Sequence, residues 1–189
     1  MSTPRRQSDP LAKPLPSEDD PAVDTSLVRD RTRNSMLIRL LNDCLANEIC
    51  CVLLYSRRQY FATKHHGTAI AGQFLQSISD EQSHADRLAA RIVDLGGELA
   101  CEERILDLLG DSSNYLLESE AELVRATLAS ERWSINAYRM VLSHLGDTDT
   151  VTRKIVEAIL VTELQHADAL EHELRPAPAT GDGARADSL

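Results

Sequence analysis

The chain has 189 residues, a formal net charge of −10, and 26% charged against 42% hydrophobic side chains, the composition of a folded domain with tails. No apolar run approaches the roughly 20 residues that cross a bilayer, and the acidic excess disfavours nonspecific attraction to nucleic acid and favours cations. Four cysteines, Cys44, Cys50, Cys51 and Cys101, form no CxxC pair and no framework spacing, which points to reduced thiols in a cytoplasmic protein.

Residues 1–34 are rich in Pro, Ser, Asp and Arg without hydrophobic periodicity and are expected to be a disordered arm. Arg5-Arg6 is followed by no apolar run, so neither a signal peptide nor a twin-arginine export signal is read there. The arm carries six basic and six acidic side chains, and residues 175–189 two of each, so the acidic excess belongs to the middle of the chain. That middle, 35–175, holds four helical patterns. Helix A is expected over about Ser35 to Ala62 and helix B over about Ala69 to Leu95, where Gly96-Gly97 form a C-terminal cap. Helix C is expected from about Ser119 to Leu145, and helix D from an N-cap at Thr148 or Asp149 to about Leu174. Pro176 and Pro178 then stop the pattern, and 176–189 reads as a flexible tail.

The A–B and C–D connections are short and the B–C link is about 20 residues, long enough to run the length of a bundle; its ILDLL stretch suits a short helical turn. The expected architecture is all-α: two antiparallel hairpins joined by one long crossover.

The core-facing stripes carry the functional signal. Stepping by three and four gives Ile38, Leu41, Leu45, Glu48, Val52, Tyr55 on helix A and Phe74, Ile78, Glu81, Ala85, Leu88, Ile92 on helix B. Helix C gives Val124, Leu128, Glu131, Ile135, Tyr138, Leu142, and helix D gives Val156, Ile159, Glu163, Leu170. Each apolar stripe is broken by one glutamate near its middle. Helices B and D add a histidine three residues on, Glu81-x-x-His84 and Glu163-x-x-His166. Glu48 precedes Glu81 by 33 residues and Glu131 precedes Glu163 by 32, an internal repeat that brings the four glutamates to one level.

A lone carboxylate in a bundle core costs several kcal/mol, against a total stability of about 5–15 kcal/mol. No Lys or Arg sits on these stripes to neutralise the four. Divalent cations would: four carboxylates and two imidazoles can hold two ions, and residues three apart on a helix face one ion together. This mix suits iron or manganese better than zinc.

The stretches LNDCLANEICCVLLY, SDEQSHADRLAARIVDLGG, ASERWSINAYR and TELQHADALEHEL resemble the helices of bacterioferritins and related di-iron ferritin-like proteins. The resemblance implies the ferritin-like four-helix bundle and a ferroxidase that binds two irons per subunit. Glu81 and Glu163 would bridge the irons, with Glu48 and His84 on one, and Glu131 and His166 on the other. Such a protein oxidises Fe(II) with dioxygen or hydrogen peroxide for iron storage or detoxification. Tyr55 matches the family's tyrosine beside the metals. Two departures matter. Gln82 stands where haem-binding members have a methionine, so no haem is expected. The PAPATGDG tail stands where the family has its fifth helix, which favours a dodecamer like the DNA-protection-during-starvation proteins over a 24-mer and leaves a dimer open.

Rival readings keep the site and give it another role, in a di-manganese catalase-like or di-iron oxygenase-like enzyme, or in a DNA-protecting shell whose contact is the N-terminal arm. The arm's equal acid speaks against DNA as partner. Cys44 and Cys51 share the face of Glu48, and Asp80 precedes Glu81 as a candidate for drawing cations inward.

Overall fold

The computed structural model describes residues 25–65, 71, 72, 74–110, 119–146 and 148–175. They form five helices and no strand: α1 (Thr25–His65), α2 (Phe74–Asp94), α3 (Glu102–Gly110), α4 (Glu120–Leu145) and α5 (Thr150–Glu173). Cross-helix partners give the directions. Asn34 donates to the Leu95 carbonyl near one end of α1, and Arg58 stacks on Phe74 near the other, so α1 and α2 are antiparallel. Arg33 donates to the carbonyls of His144 and Leu145 while Tyr55 reaches Glu131, so α1 and α4 are antiparallel too. Arg132 pairs with Glu171 at 2.8 Å, and Arg153 bonds the Gly146 carbonyl, closing the α4–α5 hairpin. This is the expected all-α pair of hairpins joined by a crossover.

The caps sit where local chemistry puts them. Ser119 and Glu122 form a reciprocal capping box at the start of α4. Asp149 accepts from Val151 N and Thr152 N at the start of α5. After α2, Gly96 takes φ 75° and Gly97 N bonds the Ile92 carbonyl, the six-to-one closure that needs a left-handed residue. Gly97 has a second reason to be glycine, since a Cβ there would stand 2.7 Å from Ile38 Cγ2.

Four boundaries differ from expectation, the first being that of α2, which begins at Phe74 rather than at about Ala69. α1 begins at Thr25, inside the segment assigned to the arm, and its early turns are tied down by Arg33 on the end of α4 and Asn34 on the end of α2. It also runs on to His65 rather than ending at Ala62. The crossover carries a nine-residue helix, α3, where a turn was expected. The remainder of the arm (1–24), the tail (176–189) and most of the A–B turn lie outside the described residues.

α1 is the central element. Besides Leu41, Leu45, Glu48 and Tyr55, it buries Asn42, Cys44, Ala46, Asn47, Cys50 and Cys51, faces that a single stripe omits. Asn47 and Cys51 face Ser130 and Ser134 of α4, and α3 adds a third neighbour, with Ile105 and Leu108 packing onto the core that Leu37, Leu41 and Cys44 share with Leu88, Ile92 and Ile159. Asn42 holds the start of the crossover, donating to the Glu98 carbonyl and accepting from Ala100 N. Arg104 stacks over Trp133, fastening α3 to α4. Val52, Phe74, Ile78 and Leu142, placed on the core stripes, are only half-buried.

Candidate metal centre

The interrupting glutamates meet at mid-bundle. Glu48 from α1, Glu81 from α2, Glu131 from α4 and Glu163 from α5 are all fully buried; His84 is buried and His166 is about one-tenth exposed. Two sets of ligand atoms gather within 4.8 Å of one another: Glu48, Glu81, His84 and Glu163 in one, and Glu81, Glu131, Glu163 and His166 in the other. Glu81 and Glu163 belong to both. One helical turn carries each Glu-x-x-His pair to the same level, and the antiparallel packing stacks the two levels back to back.

The close approaches alternate around the centre. His84 Nδ1 lies 2.8 Å from Glu163 Oε1 and 3.3 Å from Glu48 Oε2. His166 Nδ1 lies 2.8 Å from Glu81 Oε1 and 3.6 Å from Glu131 Oε1. The two 2.8 Å contacts lack hydrogen-bond orientation. Both carboxylate oxygens of Glu81 and of Glu163, Oε2 of Glu131 and Nδ1 of His166 are buried with no hydrogen-bond partner. Orphaned buried oxygens are costly, and an inward-facing set of them matches the donor shell of hard or borderline cations. The residues present therefore fit two metal ions.

The electrostatics agree. Burial pushes the Glu163 carboxyl up to about 11, with the charge of Glu48 adding to it. Burial likewise lifts Glu48 to about 8, against the pull of His84. Glu81 resists its burial through His166 and His84 and falls to about 2. Burial disfavours charge on the imidazoles, yet the facing carboxylates win: Glu163 and Glu48 raise His84 to about 12, and Glu131 and Glu81 raise His166 to about 10. Without cations, the cluster holds itself together with protons.

Neighbouring groups orient the carboxylates. Tyr55 Oη donates to Glu131 Oε1 at 2.7 Å, and Tyr138 Oη donates to Glu48 Oε1 at 2.6 Å. Ser134 Oγ adds a 3.1 Å bond to the same Glu48 oxygen. Tyr138 appeared in the sequence as one more stripe residue; its offset of seven from Glu131, equal to that of Tyr55 from Glu48, was the available signal. Ser134 and Asn47 carried none. Arg58, off the stripe, is buried with its guanidinium held by both oxygens of Glu173. Asp80 accepts from Gln76 and brings Oδ2 to 3.5 Å from His166 Nε2. Burial raises the Cys44 and Cys51 thiols well above their usual range, so both stay protonated and poorly nucleophilic. None of the six clustered residues lines the cavity of about 210 Å³ that opens between α1, α3 and α4.

The chain is similar to known proteins. The chain is 27% identical over 146 residues to the DNA protection during starvation protein of Pyrococcus furiosus, covering 76% of this chain and 79% of that one. It is 29% identical over 142 residues to the bacterioferritin of Desulfovibrio desulfuricans, covering 74% and 75%. Among solved structures, Rhodobacter capsulatus bacterioferritin superposes with a TM-score of 0.62 at 24% identity, over 74% of this chain and 83% of that chain, a likeness of fold. The ferritin-like domain matches residues 38–178, which contain all five described helices but the start of α1. The chain belongs to the ferritin-like family.

Proposed function

We propose that the protein is a ferroxidase that takes two Fe(II) per subunit and oxidises them with dioxygen or hydrogen peroxide, for iron storage or detoxification. The observation that carries this reading is the pair of glutamates common to both ligand sets, Glu81 and Glu163, with all four of their oxygens buried and unpartnered. Each can offer one oxygen to each ion. Glu48 and His84 complete one position, Glu131 and His166 the other. Manganese is the other metal such a ligand set suits.

Bound iron supplies the electrons and open coordination positions for the oxidant. The chain supplies placement. Tyr55 and Tyr138 each hold one oxygen of a terminal carboxylate, Oε1 of Glu131 and Oε1 of Glu48. The apolar residues above and below, Leu41, Leu88 and Ile159 on one side and Val124, Leu128 and Leu170 on the other, keep water from the ligands. Asp80, partly exposed beside His166, marks the side from which a cation would enter. Gln82 stands where haem-binding relatives have a methionine, and we propose a centre without haem. No described helix is long and apolar enough to cross a membrane, and we place the protein in the cytoplasm. Leu53 and Tyr60 expose apolar surface seven residues apart on α1, a face that a subunit contact would cover in a homo-oligomer; native mass would distinguish a dodecamer from a dimer or 24-mer.

The test is Fe(II) oxidation followed by absorbance in Glu81→Ala and Glu163→Ala. Both are expected to fall to the uncatalysed rate while the helical circular dichroism is kept; rates equal to the parent protein would refute the proposal. Retention of iron far beyond two per chain would separate storage from a two-metal enzyme acting on an organic substrate.

A further inference from the structure

Behind Glu48, on the seam between α1 and α4, lies a buried polar chain that the metal ligands do not include. Asn47 Nδ2 donates to Ser134 Oγ at 2.7 Å, and Ser134 Oγ donates in turn to Glu48 Oε1. Asn47 is 2% exposed and Ser134 is fully buried. The orientation of the Asn47 amide is set by its surroundings. Its nitrogen faces the Ser130 carbonyl at 3.3 Å, and its oxygen accepts from Ser130 Oγ at 3.0 Å. A flipped amide would set oxygen against the Ser130 carbonyl and nitrogen against a hydroxyl that already receives the Cys51 thiol at 3.2 Å. The amide nitrogen therefore occupies the acceptor side of Ser134 and leaves that hydroxyl only one useful direction, toward Glu48.

Among the described residues, nothing equivalent stands behind Glu131. Its Oε1 takes the Tyr55 bond alone, and its Oε2 has no partner. Glu48 Oε1 receives two donors, Tyr138 and Ser134, so both lone pairs are used and Oε2 is left as the single ligating oxygen. The two halves of the centre match in ligand type and differ in how their terminal carboxylate is held.

We propose that Asn47 and Ser134 are positioning residues that fix Glu48 as a one-oxygen ligand and make the Glu48–His84 position selectively dependent on this relay. The inference rests on the two-metal reading above and deepens it. Outer hydrogen-bond partners of ligands are worth roughly 10–100-fold in metal affinity. Their loss here should be felt at one position and not at the other.

The test uses Co(II) binding to the full-length protein in two one-site backgrounds. His166→Ala retains the Glu48–His84 position, and His84→Ala retains the Glu131–His166 position. Ser134→Ala is expected to weaken Co(II) by roughly 10-fold or more in the first background and to leave the second within about 2-fold. Asn47→Asp is the discriminating variant: it keeps shape and the acceptor for Ser130, but replaces the donor with an oxygen that draws the Ser134 hydroxyl away from Glu48. It should reproduce the Ser134→Ala loss, while Ser134→Thr, which keeps the hydroxyl, should restore affinity. Unchanged affinity in Ser134→Ala or Asn47→Asp, or an equal loss at both positions, overturns the relay. Failure of either one-site background to bind Co(II) at all counts instead against the two-metal reading.

Discussion

The first hairpin, α1–α2, and the second, α4–α5, carry the same motif: a glutamate, then Glu-x-x-His about 32 residues later. Their surroundings are not the same. The first is covered by the crossover helix α3, its histidine is buried, and its terminal carboxylate is held by two hydroxyls. The second meets α3 through Arg104 over Trp133 of α4. His166 is partly exposed beside Asp80, and Glu131 keeps a free oxygen. A sequence repeat can therefore set which side chains meet at the centre while leaving their depth and hydrogen-bond partners to the packing around each copy.

The largest effects should come from the residues the halves share. Glu81 and Glu163 each serve both ligand sets, so alanine at either removes both positions, whereas Glu48→Ala or Glu131→Ala removes one. Metal stoichiometry by calorimetry should fall from two ions to none in the first pair and to one in the second. A single bound ion in Glu81→Ala would break the symmetry inferred here.

Next is the coupling of metal, protons and stability. Saturating metal at 100 times Kd adds about 2.7 kcal/mol, or roughly 5–10 °C in Tm for a chain of this size. The sign with pH follows from the raised groups. Glu48, lifted by burial from 4.5 to about 8, costs the metal-free fold stability as pH climbs from its unfolded value toward 8. His84, raised against its burial by carboxylate neighbours from 6.5 to about 12, contributes stability that is complete below 6.5 and is lost only as pH climbs through the range up to about 12. Metal must displace these protons, so affinity rises with pH and loading releases acid. The gap in Tm between Co(II)-loaded and metal-free protein should widen from pH 6 to pH 8 in thermal scans.

The tyrosines sharpen the comparison, because here the halves are alike. Each follows a glutamate by seven residues and donates across to the other half's terminal carboxylate. Tyr55→Phe and Tyr138→Phe should each cost about 1–3 kcal/mol in urea unfolding. If only one variant shows a loss, the two phenols are not equivalent supports.

The smallest effect lies at the end of the bundle. Asp149 caps α5 and pairs with Arg91 of α2 at 2.9 Å. Its carboxyl is lowered, against partial burial, by Thr152 and Arg91, so its contribution is present above about pH 4 and lost on further acidification. Asp149→Ala should cost about 1 kcal/mol near neutrality, and less at pH 3; a loss that did not shrink in acid would place the effect in packing.

Much of this was legible in the residues. The apolar period, broken four times by glutamate, located the helices and all six clustered side chains, because an uncompensated carboxylate in a core is too costly to occur by chance on every helix. Gly96 marked the end of α2, and the choice of Thr148 or Asp149 the start of α5, through capping chemistry that acts over one turn. What escaped was whatever depended on a partner in another element. Asn42 is buried against the start of the crossover and Asn47 against Ser130 and Ser134 of α4, and no period along α1 encodes either partner. The part of α1 that precedes Ser35 meets the end of α4 through Arg33, a partner 111 residues away.

The amino-acid sequence by itself determined the fold class, the helix caps and the identity of the clustered acids and imidazoles, since helical periodicity and the energetic cost of buried charge are local and short-range. Only the tertiary structure decided which carboxylate oxygens are left free, which ligand faces solvent and which hydroxyls stand behind Glu48. Those follow from contacts between helices distant in the chain, where angstrom differences in packing select one hydrogen bond over another.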